Sequence, residues 1–489
     1  MRAKEDFASY YEKKEDWTEK IEALEQTAQQ TARMDDWRLS YHLMPPVGWL
    51  NDPNGLCRFK GEYHVFYQYS PFVVEGGSKY WGHYKSRDLI HWENCPVMLY
   101  PEQAWDLHGV YSGSALVEDD VMYLYYTGNV KQPGEHDFIH SGREHNTALA
   151  VSKDGVTVDK EVLLLNNSAY PSDLTCHVRD PKVFAYDGKY YMVLGARTNT
   201  DIGQVLVWES DDKYNWKYIN RLCTEKPFGF MWECPDLFEL DGQWILVVSP
   251  QGIERQTYHY QNVYTCGYFP LYGDFRNKDV KLGEFRELDY GFDFYAPQTF
   301  EDGARRILIG WMGMPDAEYS NPTVARGWQH CLTFPRELVW NKEKEQLEQR
   351  PIEEREALYR NEVLYRVAGE MFVPCPTASE IVIDNHSDAF CMEYDKTFCL
   401  EWEDGCLRLL YMPESYGRTV RNLKVDHLES LQILFDSTSV EIFVNGGEAV
   451  VSARYYPNGQ RALQISGVCD VRLTEFKDPC QCIDGKTLF

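Results

Sequence analysis

The chain has 489 residues, more than one hydrophobic core usually holds, so two domains are expected. Hydrophobic residues make up 44% and charged residues 26%, the balance of a globular protein and not of a disordered or fibrous one. Seventy-six acidic against 49 basic residues leave a net charge of −27, which repels nucleic acid and anionic membrane surfaces and removes both from the expected partners.

Residues 1–36 are rich in Glu, Lys, Gln and Ala, with Tyr10, Tyr11, Trp17, Ile21 and Leu24 at helical spacing, and are read as a helical extension docked on the rest. The stretch has no apolar core of signal-peptide length, and no run in the chain approaches the ~20 apolar residues that cross a bilayer. A cytoplasmic location with reduced thiols is therefore the expectation for the 14 Cys. Cys480 and Cys482 lack a second pair or a His cluster, and no metal site is expected there.

From Tyr41 the texture changes to short apolar runs broken by turns, and one pattern repeats five times. NDPNGLCRFKGEYHVFYQY, YSGSALVEDDVMYLYYTGN, RDPKVFAYDGKYYMVLGA, ECPDLFELDGQWILVVSP and YAPQTFEDGARRILIGWM each read as a hairpin, beginning at Asn51, Tyr111, Arg179, Glu233 and Tyr295. Each interval has room for four strands, which predicts a five-bladed β-propeller over 37–345. The connector 346–368 is expected to be helical, and the alternating strands of 369–489 to form a β-sandwich with surface for self-association.

Asp52 precedes Gly61, Asp180 precedes Gly188 and Glu233 precedes Gly242 by eight or nine residues, so three acids hold matching places in three repeats. The first strand of each blade lines a propeller's channel, so the three are expected to converge on one mouth. A single such Asp is often only a turn cap, but three crowded carboxylates repel one another and do nothing for folding. Glycoside cleavage needs this set and no metal or cofactor: one carboxylate attacks, a protonated one serves the leaving oxygen, and a third supports the oxocarbenium-like transition state.

WLNDPNG, FYQ, WGHYKSRDLIHW, YSGS, RDPKV, WECPDLF and ILIGWM, in that order, resemble glycoside hydrolase family 32, the invertase and sucrose-6-phosphate hydrolase group, and SVEIFVNGGEAVVSARYYP resembles that family's sandwich domain. The resemblance implies a retaining β-fructofuranosidase acting on sucrose, sucrose 6-phosphate or short fructo-oligosaccharides. Asp52 would be the nucleophile, Glu233 the acid/base and Asp180 the transition-state stabiliser. It also implies that Asn51, Gln68, Trp81, Tyr111, Ser112 and Arg179 line the sugar pocket; Leu50 and Trp311 are read as further substrate-binding residues, and Trp81 is the stacking candidate. Leu50 stands where Met or Ile is common, and FYQYSP has Ser before its Pro.

Alternatives stay open at this point. Arg179 could hold a neighbouring carboxylate ionised instead of binding sugar. Trp49, Trp81, Trp232 and Trp311 could all simply pack blade interiors. His83, His91 and His177 are expected to be structural, and Cys234 a buried small residue. Fructosyl transfer through the same intermediate, an inverting pentosan hydrolase, and a non-catalytic carbohydrate-binding propeller are the competing functions.

Overall fold

The computed structural model describes residues 14–32, 34–412, 415–457, 459 and 461–477. Tyr10, Tyr11, Cys480 and Cys482 lie outside them.

The hairpins close as their sequences require. Lys60-Gly61, Asp187-Gly188 and Asp241-Gly242 all take positive φ at both central positions, the turn geometry whose twist matches that of paired strands. Four strands follow one another in each of five sheets: blade 1 (48–99), blade 2 (110–165), blade 3 (174–222), blade 4 (231–287) and blade 5 (295–351). Their first strands are Gly48–Phe59, Val110–Glu118, Leu174–Tyr186, Met231–Leu240 and Tyr295–Asp302. Each packs beside the next, and the fifth returns to the first. The ring is closed by Trp328–Gln329, which leaves the blade 5 loops to pair in parallel with Gly48 and Trp49.

Aliphatic and aromatic residues of the middle strands fill the space between blades; Leu124, Tyr125, Met192, Val193, Leu194, Ile245 and Leu246 are fully buried. Each buried side chain of this size contributes about 1.5–3 kcal/mol relative to exposure.

The connector expected to be helical is a correction. Gln346–Pro351 is the outer strand of blade 5, Glu353–Leu358 is a short 3₁₀ turn, and Tyr359–Pro374 is a strand of the second domain. That strand pairs along its length with Ala462–Phe476. The other edge of Ala462–Phe476 joins Phe390–Tyr394 in its first half and Ser379–Asn385 in its second, so it belongs to both leaves of the sandwich. Phe398, Leu400, Ile381, Ile383, Ile433 and Ile442 point inward and are fully covered.

The helix Lys14–Ala32 docks on blade 1. Trp17 and Ile21, one turn apart, are its buried face, and Trp17 lies against Tyr80 and Tyr100. Glu25 accepts hydrogen bonds from Tyr69 Oη (3.0 Å) and Asn94 Nδ2 (3.2 Å), and burial pushes its carboxyl up to about 7.

A buried polar latch joins the domains. His42 reaches Asp436 through Nδ1 and Glu441 through Nε2, both at 2.9 Å and fully covered. Arg336 of blade 5 donates to Glu441 (2.9 Å) and to Asp289 (3.2 Å), so every charge in the latch faces its opposite.

Candidate active site

The channel strands carry a shared irregularity. Opposite one residue of the second strand, the first strand places two: Asn51 and Asp52 in blade 1, Asp180 and Pro181 in blade 3, Cys234 and Pro235 in blade 4, Ala296 and Pro297 in blade 5. Such bulges re-aim side chains, because the extra residue breaks the two-residue alternation of a strand. Asp180, Cys234 and Ala296 take positive φ, at 65°, 46° and 48°, a costly conformation for residues with a side chain. The register corrects the repeat comparison by one residue. Glu233 pairs with Ser249 as Arg179 pairs with Gly195, so Glu233 holds the place of Arg179 and Cys234 that of Asp180.

The bulges bring the three acids to one pit. Asp52 accepts from Ser112 Oγ (2.5 Å), Asn51 Nδ2 (3.0 Å) and Gln68 Nε2 (3.4 Å). Burial raises its carboxyl above the usual range; the Ser112 and Asn51 bonds pull it back, and Glu233 pushes it further up. Asp180 accepts from the backbone N–H of Cys234 (2.9 Å), while its own N–H donates to Thr127 Oγ1 (2.8 Å), so blades 2, 3 and 4 all fix it. Burial drives its carboxyl up to about 7 against the pull of Arg179, and Glu233 and Asp52 add to the rise. Glu233 accepts from Arg179 Nη2 (2.5 Å), Tyr295 Oη (2.7 Å) and Gln251 Nε2 (2.8 Å). The thiol of Cys234, the next residue, stands 3.6 Å from Asp52, and Glu233 is near enough for its charge to act on Asp52.

Three acids from blades 1, 3 and 4, each fixed by neighbours from other blades, meet at one pit, and such a set has the groups that acid-assisted displacement at a sugar carbon requires. Comparison with known proteins gives the same frame. Residues 42–351 match the model described as Glycosyl hydrolases family 32 N-terminal domain, and residues 353–471 the model described as Glycosyl hydrolases family 32 C terminal. The chain belongs to glycoside hydrolase family 32. The sucrose-6-phosphate hydrolase of Bacillus subtilis is 41% identical over 443 residues, covering 87% of this chain and 90% of that one. The raffinose invertase of Escherichia coli is 36% identical over 447 residues, with 87% and 90% covered. Among solved structures, the family 32 β-fructofuranosidase BmSUC1 of Bombyx mori superposes with a TM-score of 0.84 at 30% identity, covering 96% of this chain and 99% of that one.

Within this family 32 chain the expected pocket residues separate into two groups. Asn51, Gln68 and Ser112 form the hydrogen-bonded floor around Asp52, where Asn51 also bonds Gln68 at 3.1 Å and Gln68 donates to Ser112. Arg179 lines the acid side, and Tyr111 stands next to it with part of its ring open.

Leu50 and Trp81 are corrections. Leu50 is fully buried in the apolar core, because strand alternation points it away from the pit that Trp49 and Asn51 face. Trp81 is also fully covered, packed on Phe66 with its Nε1 donating to the carbonyl of Tyr111 (3.1 Å), so it positions Tyr111 and offers no stacking face. Trp311 is 2% exposed and backs Trp49 at 5.9 Å. Of the four tryptophans Trp49 alone is partly exposed; its Nε1 donates to Asn51 (2.7 Å), and Lys79 Nζ lies 5.0 Å from its ring centroid.

Tyr295 and Gln251 were missed. Tyr295 was visible as the start of the fifth hairpin, in the register place of Arg179 and Glu233. Gln251 ends a second strand and carries no sequence signal. Of the expected structural histidines, His83 bonds His64 (2.9 Å) and His91 bonds Asp88 (2.7 Å), whereas His177 reaches the site through Arg179 (2.6 Å).

Proposed function

We propose that this family 32 enzyme is a retaining β-fructofuranosidase that hydrolyses sucrose and sucrose 6-phosphate, with Asp52 as nucleophile, Glu233 as acid/base and Asp180 as the carboxylate that holds fructosyl hydroxyls. The observation carrying the reading is that Asp52, Asp180 and Glu233 meet in one pit and act on one another's charge. Asp52 accepts from Ser112 and Asn51, bonds that work against the rise burial gives its carboxyl, while Glu233 accepts from Arg179, Tyr295 and Gln251.

In the first step an Asp52 oxygen bonds to C2 of the fructosyl unit as the C2–O bond to glucose breaks, and Glu233 gives its proton to the departing oxygen. In the second, Glu233 takes a proton from water, the water oxygen bonds to C2, and the Asp52 ester is released. Such a double displacement requires the two carboxyl groups about 5–5.5 Å apart. Trp49 supplies an apolar face for a sugar ring at the pit wall.

Action inside the cell is part of the proposal, supported by the described cysteines, all of which are free thiols. The test is release of glucose and fructose from sucrose by the purified protein. Asp52→Asn is expected to lower kcat by at least about 10³-fold while sugar binding persists; turnover near that of the unaltered enzyme refutes the assignment.

A further inference from the structure

Beyond Arg179 lie further basic side chains whose charge no acid among the described residues neutralises. Arg143 and His145 lie on the third strand of blade 2, Arg143–Ser152, and His177 on the channel strand of blade 3. The His145 ring is 5.8 Å from Tyr111 and 5.6 Å from His177, and His177 Nδ1 is 2.6 Å from Arg179 Nη1. Arg143 is close enough to Tyr111, Arg179 and His177 for its charge to act on all three.

These side chains hold unspent hydrogen-bonding atoms. A guanidinium only donates, so His177 Nδ1 accepts from Arg179 and its Nε2 carries the hydrogen. The Nε of Arg143 and both ring nitrogens of His145 are buried with no partner among the described residues, and Nε2 of His177 is buried near the backbone of Phe138 without a well-formed hydrogen bond. Burial and the neighbouring guanidinium groups keep His177 neutral, its value driven down to about 2, so it is a donor and not a competing cation. The nearest acids face elsewhere: Asp137 accepts from the backbone N–H groups of 139–141, and Glu144 from Gln132. A buried polar group left without a partner is costly. An anion seated against Arg143 would remove several such costs together.

We propose that Arg143, with the Nε2–H of His177, forms the subsite for a phosphomonoester carried on the departing glucosyl group, and thereby gives this enzyme its preference for sucrose 6-phosphate over sucrose. The proposal rests on the fructosidase reading above. Arg179 bonds both Glu233 and His177, so the subsite lies on the side of the proton donor, where the leaving half of the substrate must sit. The fork of a guanidinium matches phosphate oxygens two at a time, and in a chain of net charge −27 an anionic substrate needs such a local cation.

The test compares kcat/KM on sucrose and sucrose 6-phosphate for the unaltered protein, Arg143→Gln and Arg143→Lys, with glucose 6-phosphate, glucose and inorganic phosphate as inhibitors of sucrose cleavage. The unaltered enzyme is expected to prefer the phosphorylated sugar. Arg143→Gln should lose about 10- to 100-fold on it while changing sucrose turnover by less than about twofold, with Arg143→Lys between. Glucose 6-phosphate should compete better than glucose with the unaltered enzyme only, and inorganic phosphate should compete weakly. The proposal is overturned if both substrates suffer alike, if Arg143→Gln keeps the preference, or if the unaltered enzyme discriminates between neither the two substrates nor the two glucose inhibitors. Sucrose turnover by the variant reports that it is folded. Failure of the unaltered enzyme to cleave either sugar would defeat the fructosidase reading itself.

Discussion

Arg179 holds Glu233 across the blade boundary at 2.5 Å, while its own chain neighbour Asp180 is 3.9 Å away. The bulge beginning at Asp180 turns two consecutive residues to different partners.

Removing the proton donor should matter only when the leaving group needs a proton. Glu233→Gln is expected to slow sucrose cleavage by about 10²–10⁴-fold. An aryl β-fructoside, whose phenolate departs unaided, should lose far less in its first step, and added azide should restore turnover by replacing the activated water. Equal losses on both substrates would remove Glu233 from the acid role.

Asp180 must be ionised to accept from fructosyl hydroxyls, and burial places its titration at about 7 in the free enzyme. Its anion is lost as pH falls through that value, so kcat/KM, which reports the free enzyme, should decline on the acid side from near neutrality. A profile flat down to about pH 5 would contradict the role.

Trp49 and Trp81 should respond differently to replacement by Ala. Loss of the partly exposed Trp49 ring is expected to raise KM for sucrose about tenfold with a smaller change in kcat. Loss of the fully buried Trp81 should cost about 3–5 kcal/mol in stability, read by denaturant unfolding. The reverse pattern would restore Trp81 as the sugar platform.

The interdomain latch has its own pH signature. Burial pushes Asp436 and Glu441 up, yet both lie below their ordinary values, because His42 bonds both and its charge acts on both, and Arg336 acts on Glu441; His42 is held above 6.5 by those two acids despite burial. The raised His42 contributes fully below its unfolded value of 6.5 and is lost as pH rises through its folded value; the depressed acids contribute above about 4 and are lost as pH falls through theirs. His42→Asn should therefore destabilise by about 3–5 kcal/mol near pH 6, with a smaller penalty in alkaline solution. A pH-independent penalty would mean that His42 is not charged in the fold.

Much of this was legible in the sequence because repeats make distance readable: five hairpins with Lys-Gly and Asp-Gly turns give five blades, and acids near the strand starts give one mouth. Parity was not legible. A bulge resets the alternation at Asn51 and Asp52, so the inward aim of both residues does not follow from a two-residue period. Trp81 and Trp49 look alike as residue types, and only the closed sheet decides which face stays open. The strand Tyr359–Pro374 is exposed along most of its length, on both faces, and so lacks the in-out pattern that would have marked it as a strand.

The account turns on a bond between one oxygen of Asp52 and C2 of fructose. Glu233→Gln treated with an aryl β-fructoside, quenched and digested, should yield the peptide containing Asp52 heavier by one fructosyl unit in mass spectrometry, with the modification mapped to that residue. A fructosyl unit on another residue, or steady turnover by this route with Asp52 replaced by Asn, would contradict it.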